Sequence, residues 1–376
     1  MKTLEECRKE IDEIDEKIMD LFEQRMGVSK DVVLYKTKNN LEIFQSDREK
    51  NILEKNVKRL KNKEYSKYAI SFMQNMMNIS KSYQATFLTN TNVFKTSTHK
   101  TTNITVGYQG VEGAFSYQAM KSYFKDVKSN NYNTFEDVFI ALKNKEIDYG
   151  ILPLENSSTG AINDNYDLVR NYGLYIVGEY SLSVSQNLLG IKGSKIEDIT
   201  DIYSHPQGIF QCSNFLSKYP SIKTHEYSNT AASAKKICEL NDKTKGAIAS
   251  KEAARLYDLD ILKEDIHNDN TNHTRFIVVG RDLEDDQSCN CCSIVFTLKH
   301  EAGALAGILQ TIKDHEINLS RIESRPIPHK NWEYYFYIDL EGSIHNSNVI
   351  TAYQQLKANA LTIKVIGNYK QAEGKE

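Results

Sequence analysis

The chain has 376 residues and a mass of 43.0 kDa, more than one hydrophobic core usually organises, so two or three domains of about 100–200 residues each are expected. Apolar residues make up 40% and charged residues 26%, the composition of a globular protein rather than a disordered or fibrous one. Forty-seven basic against 50 acidic side chains leave a formal net charge of −3. That balance lacks the electrostatic footprint of a general nucleic-acid binder, and any anionic ligand must meet local positive charge.

The apolar runs, such as Val138 to Leu142, are far shorter than the ~18–20 residues that span a bilayer, so no transmembrane helix is expected. The N-terminus is charged at once and carries no apolar core or cleavage site of a signal peptide, which points to the cytoplasm. Cysteines at 7, 212, 238, 289, 291 and 292 are too sparse for a disulfide framework, and reduced thiols are expected. Residues 86–102 contain seven threonines and no apolar periodicity, the signature of a linker. A second shift in composition, the polar stretch from Asp282 to Ser288, follows the apolar run Phe276 to Val279. The resulting plan is a helical domain over 1–88, a linker over 89–102, an α/β domain over 103–281 and a last domain over 282–376.

In the first segment, Leu4, Cys7, Ile11, Ile14, Ile18, Leu21, Arg25, Val28, Val32 and Tyr35 recur three or four apart, predicting one helix of roughly 45–50 Å. Two shorter helices cannot cover so long a seam, so a homodimer or a higher assembly is expected. Arg25 sits in the seam and needs either a carboxylate of the protein or an anionic ligand beside it. Lys36 returns to within roughly 20° of its face, whereas Arg8 falls about 100° away and would serve a partner's cluster instead. A second helix should begin near Ser46 or Asp47, with Arg48 and Glu49 in its first turn and Ile52, Leu53, Val57 and Leu60 inward. On the third, Ala69, Phe72, Met76, Ile79 and Tyr83 form the expected apolar stripe, with Ser80 and Gln84 a surface polar pair beside it.

The set Arg8, Arg25, Lys36, Arg48-Glu49 and Ser80-x3-Gln84 resembles the all-helical chorismate mutase family over residues 4–88. The resemblance implies an intertwined helical dimer that converts chorismate to prephenate. Arg8 of one chain would join Arg25, Lys36 and Arg48 of the other around the substrate carboxylates. A pericyclic reaction needs no nucleophile, so catalysis must come from holding the reactive conformer and stabilising charge on the breaking ether oxygen. Lys36 and Gln84 are the candidates for that oxygen, and Glu49 would accept the ring hydroxyl. Gln45 departs from the acidic residue that many members carry there.

The central segment alternates short apolar strands with helical stretches. Three strand ends lead into polar turns before helices: Gly113-Ala114-Phe115-Ser116, Pro153-Leu154-Glu155-Asn156-Ser157, and Ser204-His205-Pro206-Gln207. Asn272-His273-Thr274-Arg275 precedes the strand from Phe276. Backbone N–H groups at such helix starts suit an anion, but neither a dinucleotide nor a P-loop spacing occurs. The four motifs resemble prephenate dehydratase over about 103–281. The resemblance implies two α/β lobes like a type II periplasmic binding protein, the second near 181–267, with the active site in the cleft. Prephenate would lose carbon dioxide and its ring hydroxyl to give phenylpyruvate. Thr274 is the family's catalytic residue, with Glu155 and His205 as physical alternatives for the acid; His205 taken alone is more often a structural residue. Ser116, Asn156, Ser157, Ser204, Gln207 and Arg275 would position the substrate, Arg275 either as a carboxylate clamp or as a structural ion pair. Ala114 stands where several members have Ser or Thr, a feature shared with arogenate dehydratases, so arogenate stays open as the substrate.

The last segment reads βαββαβ, the ferredoxin-like order, with strands at 291–298, 319–325, 331–340 and 361–369 and helices at 302–314 and 346–358. Glu301-Ala302-Gly303-Ala304-Leu305 and Glu323-Ser324-Arg325-Pro326 resemble the ACT regulatory domain of phenylalanine-regulated dehydratases, implying L-phenylalanine as effector. Cys289-x-Cys291-Cys292 lacks a second ligand pair and reads as structural. The combined expectation is a multidomain enzyme of phenylalanine biosynthesis: an all-α mutase, a two-lobed α/β dehydratase and an α+β ACT domain. It needs no cofactor or metal and has no nucleic-acid or membrane partner. Its rivals are a dehydratase whose helices serve only dimerisation, and a non-enzymatic amino-acid sensor.

Overall fold

The computed structural model describes residues 2–39, 46–85, 87, 94–98, 100, 102–158, 160–162 and 164–372. Gln45 and half of the linker lie outside them. The chain divides into two compact units, one of Met1–Val93 with Ile294–Lys364 and one of Phe94–Ser293 with Val365–Glu376.

The first unit begins with α1 (Leu4–Lys38), α2 (Ser46–Arg59) and α3 (Ser66–Ala85). Helix α1 starts at Thr3, whose hydroxyl accepts from the Glu6 N–H while the Glu6 carboxylate accepts from the Thr3 N–H, a complete capping box. Glu5 and Glu6 in its first turn and Lys36 and Lys38 in its last complement the helix dipole. Both α1 and α2 pack on α3, yet among the 35 residues of α1 only Ser29 and Val33 are buried. Leu4, Ile11, Ile14, Leu21 and Val28 are all more than half exposed. The predicted stripe on α3 is turned by one position: Met77 and Ser80 are buried, while Phe72 and Ile79 face out. The expectation that Ser80 lies on the surface is therefore wrong, because its hydroxyl is needed inside, against Arg25.

The second unit contains two lobes. The first comprises β1 (Thr105–Gln109), α4 (Phe115–Phe124), β2 (Lys128–Tyr132), α5 (Phe135–Lys143), β3 (Tyr149–Asn156), β4 (Gly160–Ala161), α6 (Asp164–Tyr172) and β5 (Tyr175–Ser183). The second comprises β6 (Asn187–Gly190), β7 (Asp201–Ser204), α7 (Pro206–Gln211), α8 (Ser213–Leu216), β8 (Lys223–Glu226), α9 (Thr230–Leu240), β9 (Lys245–Ala249), α10 (Lys251–Leu256) and β10 (Asp260–Lys263), and the chain returns through β11 (His273–Gly280). In the first lobe the order is β5-β11-β3-β1-β2, with β11 antiparallel to both β3 and β5 and β1 parallel to β2 and β3. The second lobe orders its strands β10-β6-β9-β7-β8. Each sheet has its own core: Val106, Ile151, Phe276 and Val278 in one, Leu188, Ile202 and Ile248 in the other. Both sheets are mixed, and their central strands β1, β3 and β9 are almost wholly buried. Gly113 has φ +86° and lies so close to α10 that an added Cβ would sit 3.3 Å from Ala253 Cα, so only glycine serves this turn.

The remaining elements are β12 (Cys291–Thr297), α11 (Ala304–Asp314), β13 (Leu319–Pro326), β14 (Tyr334–Glu341), α12 (Ser347–Asn359) and β15 (Thr362–Tyr369), in strand order β13-β14-β12-β15. This is the ferredoxin-like order. Cys291 and Cys292 are buried in β12, and the boundary between the two units passes through β12 and β15. No helix among the described residues is long and apolar enough to cross a membrane.

Candidate active sites and effector pocket

The three N-terminal helices enclose a cavity of about 490 Å³ lined by Arg25 and Lys36 of α1, Arg48 and Glu49 of α2, and Ser80 and Gln84 of α3. Sequence spacing singled out all six. Asn56, Arg59 and Lys81 also line it and were missed, although Asn56 and Arg59 follow Arg48 and Glu49 on α2 at helical spacing. The Arg25 guanidinium donates to Ser80 Oγ and to the Met76 carbonyl at 3.3 Å; among the described residues no carboxylate pairs with it. The seam cation is held by a hydroxyl and a carbonyl oxygen, both neutral. Glu49 instead meets Lys81 at 3.1 Å. Five cationic side chains against one carboxylate crowd the cavity. Burial lowers the Arg25 pKa, and burial together with repulsion from Arg48 lowers that of Lys36. An anion would relieve both penalties. Arg8 does not line this cavity.

A second cavity, about 150 Å³, is lined by Phe115 at the start of α4, Asn156 at the end of β3, His205 and Gln207 around the start of α7, and Thr274 on β11, with Gln186, Gln211, Asn229 and Thr230. The last four were missed, since isolated amides and hydroxyls outside any motif carry no local signal. Thr274 pairs in register with Asn156, and Asn156 Nδ2 donates to Thr274 Oγ1 at 2.9 Å and to Asn272 Oδ1 at 2.7 Å. His205 is the N-cap of α7: its Nδ1 accepts from the Gln207 N–H at 3.2 Å, which leaves the ring proton on Nε2. Burial lowers its pKa, so the ring is neutral at pH 7. This helix begins at Pro206.

Other expected residues stand elsewhere. Ser204 is fully buried and donates to the Ile248 carbonyl at 2.8 Å, tying β7 to β9. Ser157 donates to the Thr271 carbonyl at 3.2 Å and accepts from the His273 N–H at 3.0 Å, joining the ends of β3 and β11. Ser116 is buried in the first turn of α4, one residue beyond the lining Phe115. Arg275 does not act as a clamp here, because β11 already begins at His273 and neighbours on a strand face opposite ways. Thr274 faces the cavity, and Arg275 faces Glu179 at 2.7 Å, with Glu155 3.9 Å away. Of the two readings of Arg275, the ion pair is the one present, and it also engages Glu155.

A third cavity of about 330 Å³ lies against the start of α11, lined by Glu301, Ala304 and Leu305 together with Trp332, Tyr334 and Phe336. Gly303, with φ +85°, is the N-cap. The aromatic wall was not foreseen. Glu323, Ser324 and Arg325 lie on β13, the edge strand, and do not line this cavity in the protomer.

A cation-lined helical pocket, a neutral amide-lined cleft between α/β lobes, and a ferredoxin-like module with its own pocket define a multifunctional enzyme of small organic anions with a regulatory domain. The chain matches the chorismate mutase type II family over residues 7–85, the prephenate dehydratase family over 106–284 and the ACT domain family over 293–358. It is 36% identical to the bifunctional chorismate mutase/prephenate dehydratase of Aquifex aeolicus over 99% of each chain, and 35% identical to arogenate dehydratase 2 of Petunia hybrida over 72% of each. A prephenate dehydratase from Arthrobacter aurescens solved in complex with L-Phe superposes with a TM-score of 0.67 at 27% identity, over 72% of this chain and 92% of that one. The chain belongs to the family of bifunctional chorismate mutase/prephenate dehydratases, enzymes of phenylalanine biosynthesis.

Proposed function

We propose that the helical cavity converts chorismate to prephenate and that the cleft converts prephenate to phenylpyruvate, carbon dioxide and water. The observation that carries the first step is the convergence of Arg25, Lys36, Arg48, Glu49, Ser80 and Gln84 on one cavity. Arg25 and Arg48 hold the substrate carboxylates, Ser80 fixes Arg25, and Lys36 with Gln84 stabilises the ether oxygen as its bond breaks. Glu49 accepts the ring hydroxyl while Lys81 neutralises it.

Arg8 completes the site from a second copy. The exposed seam of α1 supports a homodimer, since each large aliphatic side chain buried across it contributes about 1.5–3 kcal/mol. Six free cysteines suit the reducing cytoplasm.

In the cleft, Asn156 donates to Thr274 Oγ1, so the threonine hydrogen is free to point at the leaving hydroxyl. As the C–C bond to the departing carboxylate breaks, its electron pair enters the ring, the C–O bond breaks, and the Thr274 proton completes the water released. The Asn156 amide stabilises the threonine oxygen until it is reprotonated. Neutral His205 donates through Nε2–H, and Gln207 adds an amide; both orient the substrate. Among the described residues the lining of the cavity has no carboxylate to hold an ammonium group, which favours prephenate over arogenate. L-Phenylalanine acts as effector at the pocket beside Gly303, Ala304 and Leu305, with Glu323, Ser324 and Arg325 contributing from β13 of a second copy.

The test is to supply chorismate to the full chain and follow prephenate and phenylpyruvate with and without phenylalanine. Absence of phenylpyruvate from both chorismate and prephenate would refute the dehydratase assignment, and turnover of arogenate in preference to prephenate would reverse the choice of substrate.

A further inference from the structure

The face of β11 opposite Thr274 carries a buried polar cluster that neither reaction uses. Arg275 meets Glu179 of β5 at 2.7 Å and donates to Tyr369 Oη at 3.4 Å. Tyr369 Oη in turn lies 3.0 Å from Ser293 Oγ. Tyr369 and Ser293 are fully buried. The Ala372 N–H donates to Glu179 Oε1 at 3.3 Å, so Glu179 is held by the segment after β15 and Arg275 by Tyr369 at the end of β15. Ser293 and Tyr369 belong to β12 and β15, and both strands run in sequence into residues 294–364.

The ladder between β11 and β3 is irregular at this point. Thr274 pairs with Asn156 and Arg275 with Glu155, but Phe276 pairs with Pro153, skipping a residue. Such a bulge disrupts the ladder locally, bends the strand and re-aims the neighbouring side chain. A pull on Arg275 therefore acts on the backbone that aims Thr274 at Asn156.

We infer that Arg275 is a positioning residue through which the state of β12 and β15 sets the aim of Thr274, so that phenylalanine inhibits the dehydratase by way of Tyr369 and Ser293. This rests on the reading of Thr274 as the acid and of residues 294–364 as phenylalanine-responsive.

The decisive variant in the full-length chain is Tyr369→Phe, which keeps the buried ring and removes only the hydroxyl. Its mutase activity and its uninhibited dehydratase kcat and KM stay near those of the unmodified chain. Phenylalanine still binds, read from the fluorescence of Trp332, the single tryptophan, which lines the effector pocket. The concentration giving half-inhibition rises about 5- to 150-fold, the range of an ordinary allosteric coupling. Ser293→Ala produces the same shift, and the two together little more than either alone. Arg275→Lys lowers dehydratase kcat with KM unchanged, whereas a carboxylate clamp would raise KM.

Inhibition curves for Tyr369→Phe and Ser293→Ala that overlay those of the unmodified chain would overturn the relay. If Tyr369→Phe lost mutase activity as well, indicating misfolding, Ser293→Ala alone would decide. An unmodified chain indifferent to phenylalanine would instead remove the regulatory reading beneath the proposal, and the relay with it.

Discussion

The two candidate active sites handle small dianions in opposite ways. The helical cavity is lined by Arg25, Lys36, Arg48, Arg59 and Lys81, whereas among the described residues the lining of the cleft around Thr274 has no arginine or lysine and presents amides, hydroxyls and a neutral imidazole. The contrast follows the chemistry. A rearrangement that only redistributes electrons gains from fixed positive charge where negative charge grows. A step that expels a carboxylate as carbon dioxide gains nothing from a cation holding that carboxylate in its charged form, and needs a proton delivered to a leaving hydroxyl. Arg275, the cation nearest to Thr274 in sequence, is turned away and neutralised by Glu179.

The strongest way to break this comparison is at Thr274. Thr274→Val should lower phenylpyruvate formation by about 10²–10⁴-fold while leaving prephenate formation intact. A variant that retained dehydratase activity would move the acid to His205 or Glu155. Next in size, Arg25→Ala should lower mutase turnover about 10²–10³-fold and spare the dehydratase. Loss of both in a folded chain would sink the separation of sites. Mixing Arg25→Ala with Arg8→Ala chains sharpens the point, since a site shared across a two-fold axis should recover about a quarter of the original mutase activity. Arg8→Ala chains that are fully active on their own would place Arg8 outside the site, and no recovery on mixing would place Arg8 and Arg25 in the site of one chain.

A smaller effect is expected in pH dependence. Lys36 must be protonated to stabilise the ether oxygen, and burial with Arg48 lowers its pKa. Mutase activity is therefore present below that pKa and lost as pH rises through it, at a pH below the ~10.4 of an ordinary lysine. Arg48→Gln should move the basic limb of the kcat profile upward; an unmoved limb would assign it to another group. The dehydratase should show no matching change near neutrality, because the lowered pKa of His205 puts its protonation below ~6.5. The smallest effect is at Ser324→Ala, which should weaken phenylalanine inhibition by about 5-fold, the low end of allosteric coupling, and an unchanged inhibition curve would count against β13 in effector binding.

Much of this was legible in the sequence. The period of α1 placed Arg25 and Lys36 on one stripe, and the turn motifs marked where strands deliver Asn156 and His205. The errors have specific causes. The strand β11 starts three residues before its apolar run, so the alternation separating Thr274 from Arg275 was hidden by taking both for loop. The stripe on α3 was misphased by one residue, about 100° of rotation, because Phe72 and Ile79 are as apolar as the buried Met77.

The sequence by itself determined the order of elements, the family and the polar residues worth testing, because helical and strand periods and turn chemistry are local properties. Only the tertiary structure decided which face of α3 meets Arg25, that Glu49 pairs with Lys81, and that Arg275 joins Glu179 and Tyr369 rather than the cleft. A period tells which residues share a face. What that face meets is settled by long-range packing, where the cost of burying each charge selects its partner.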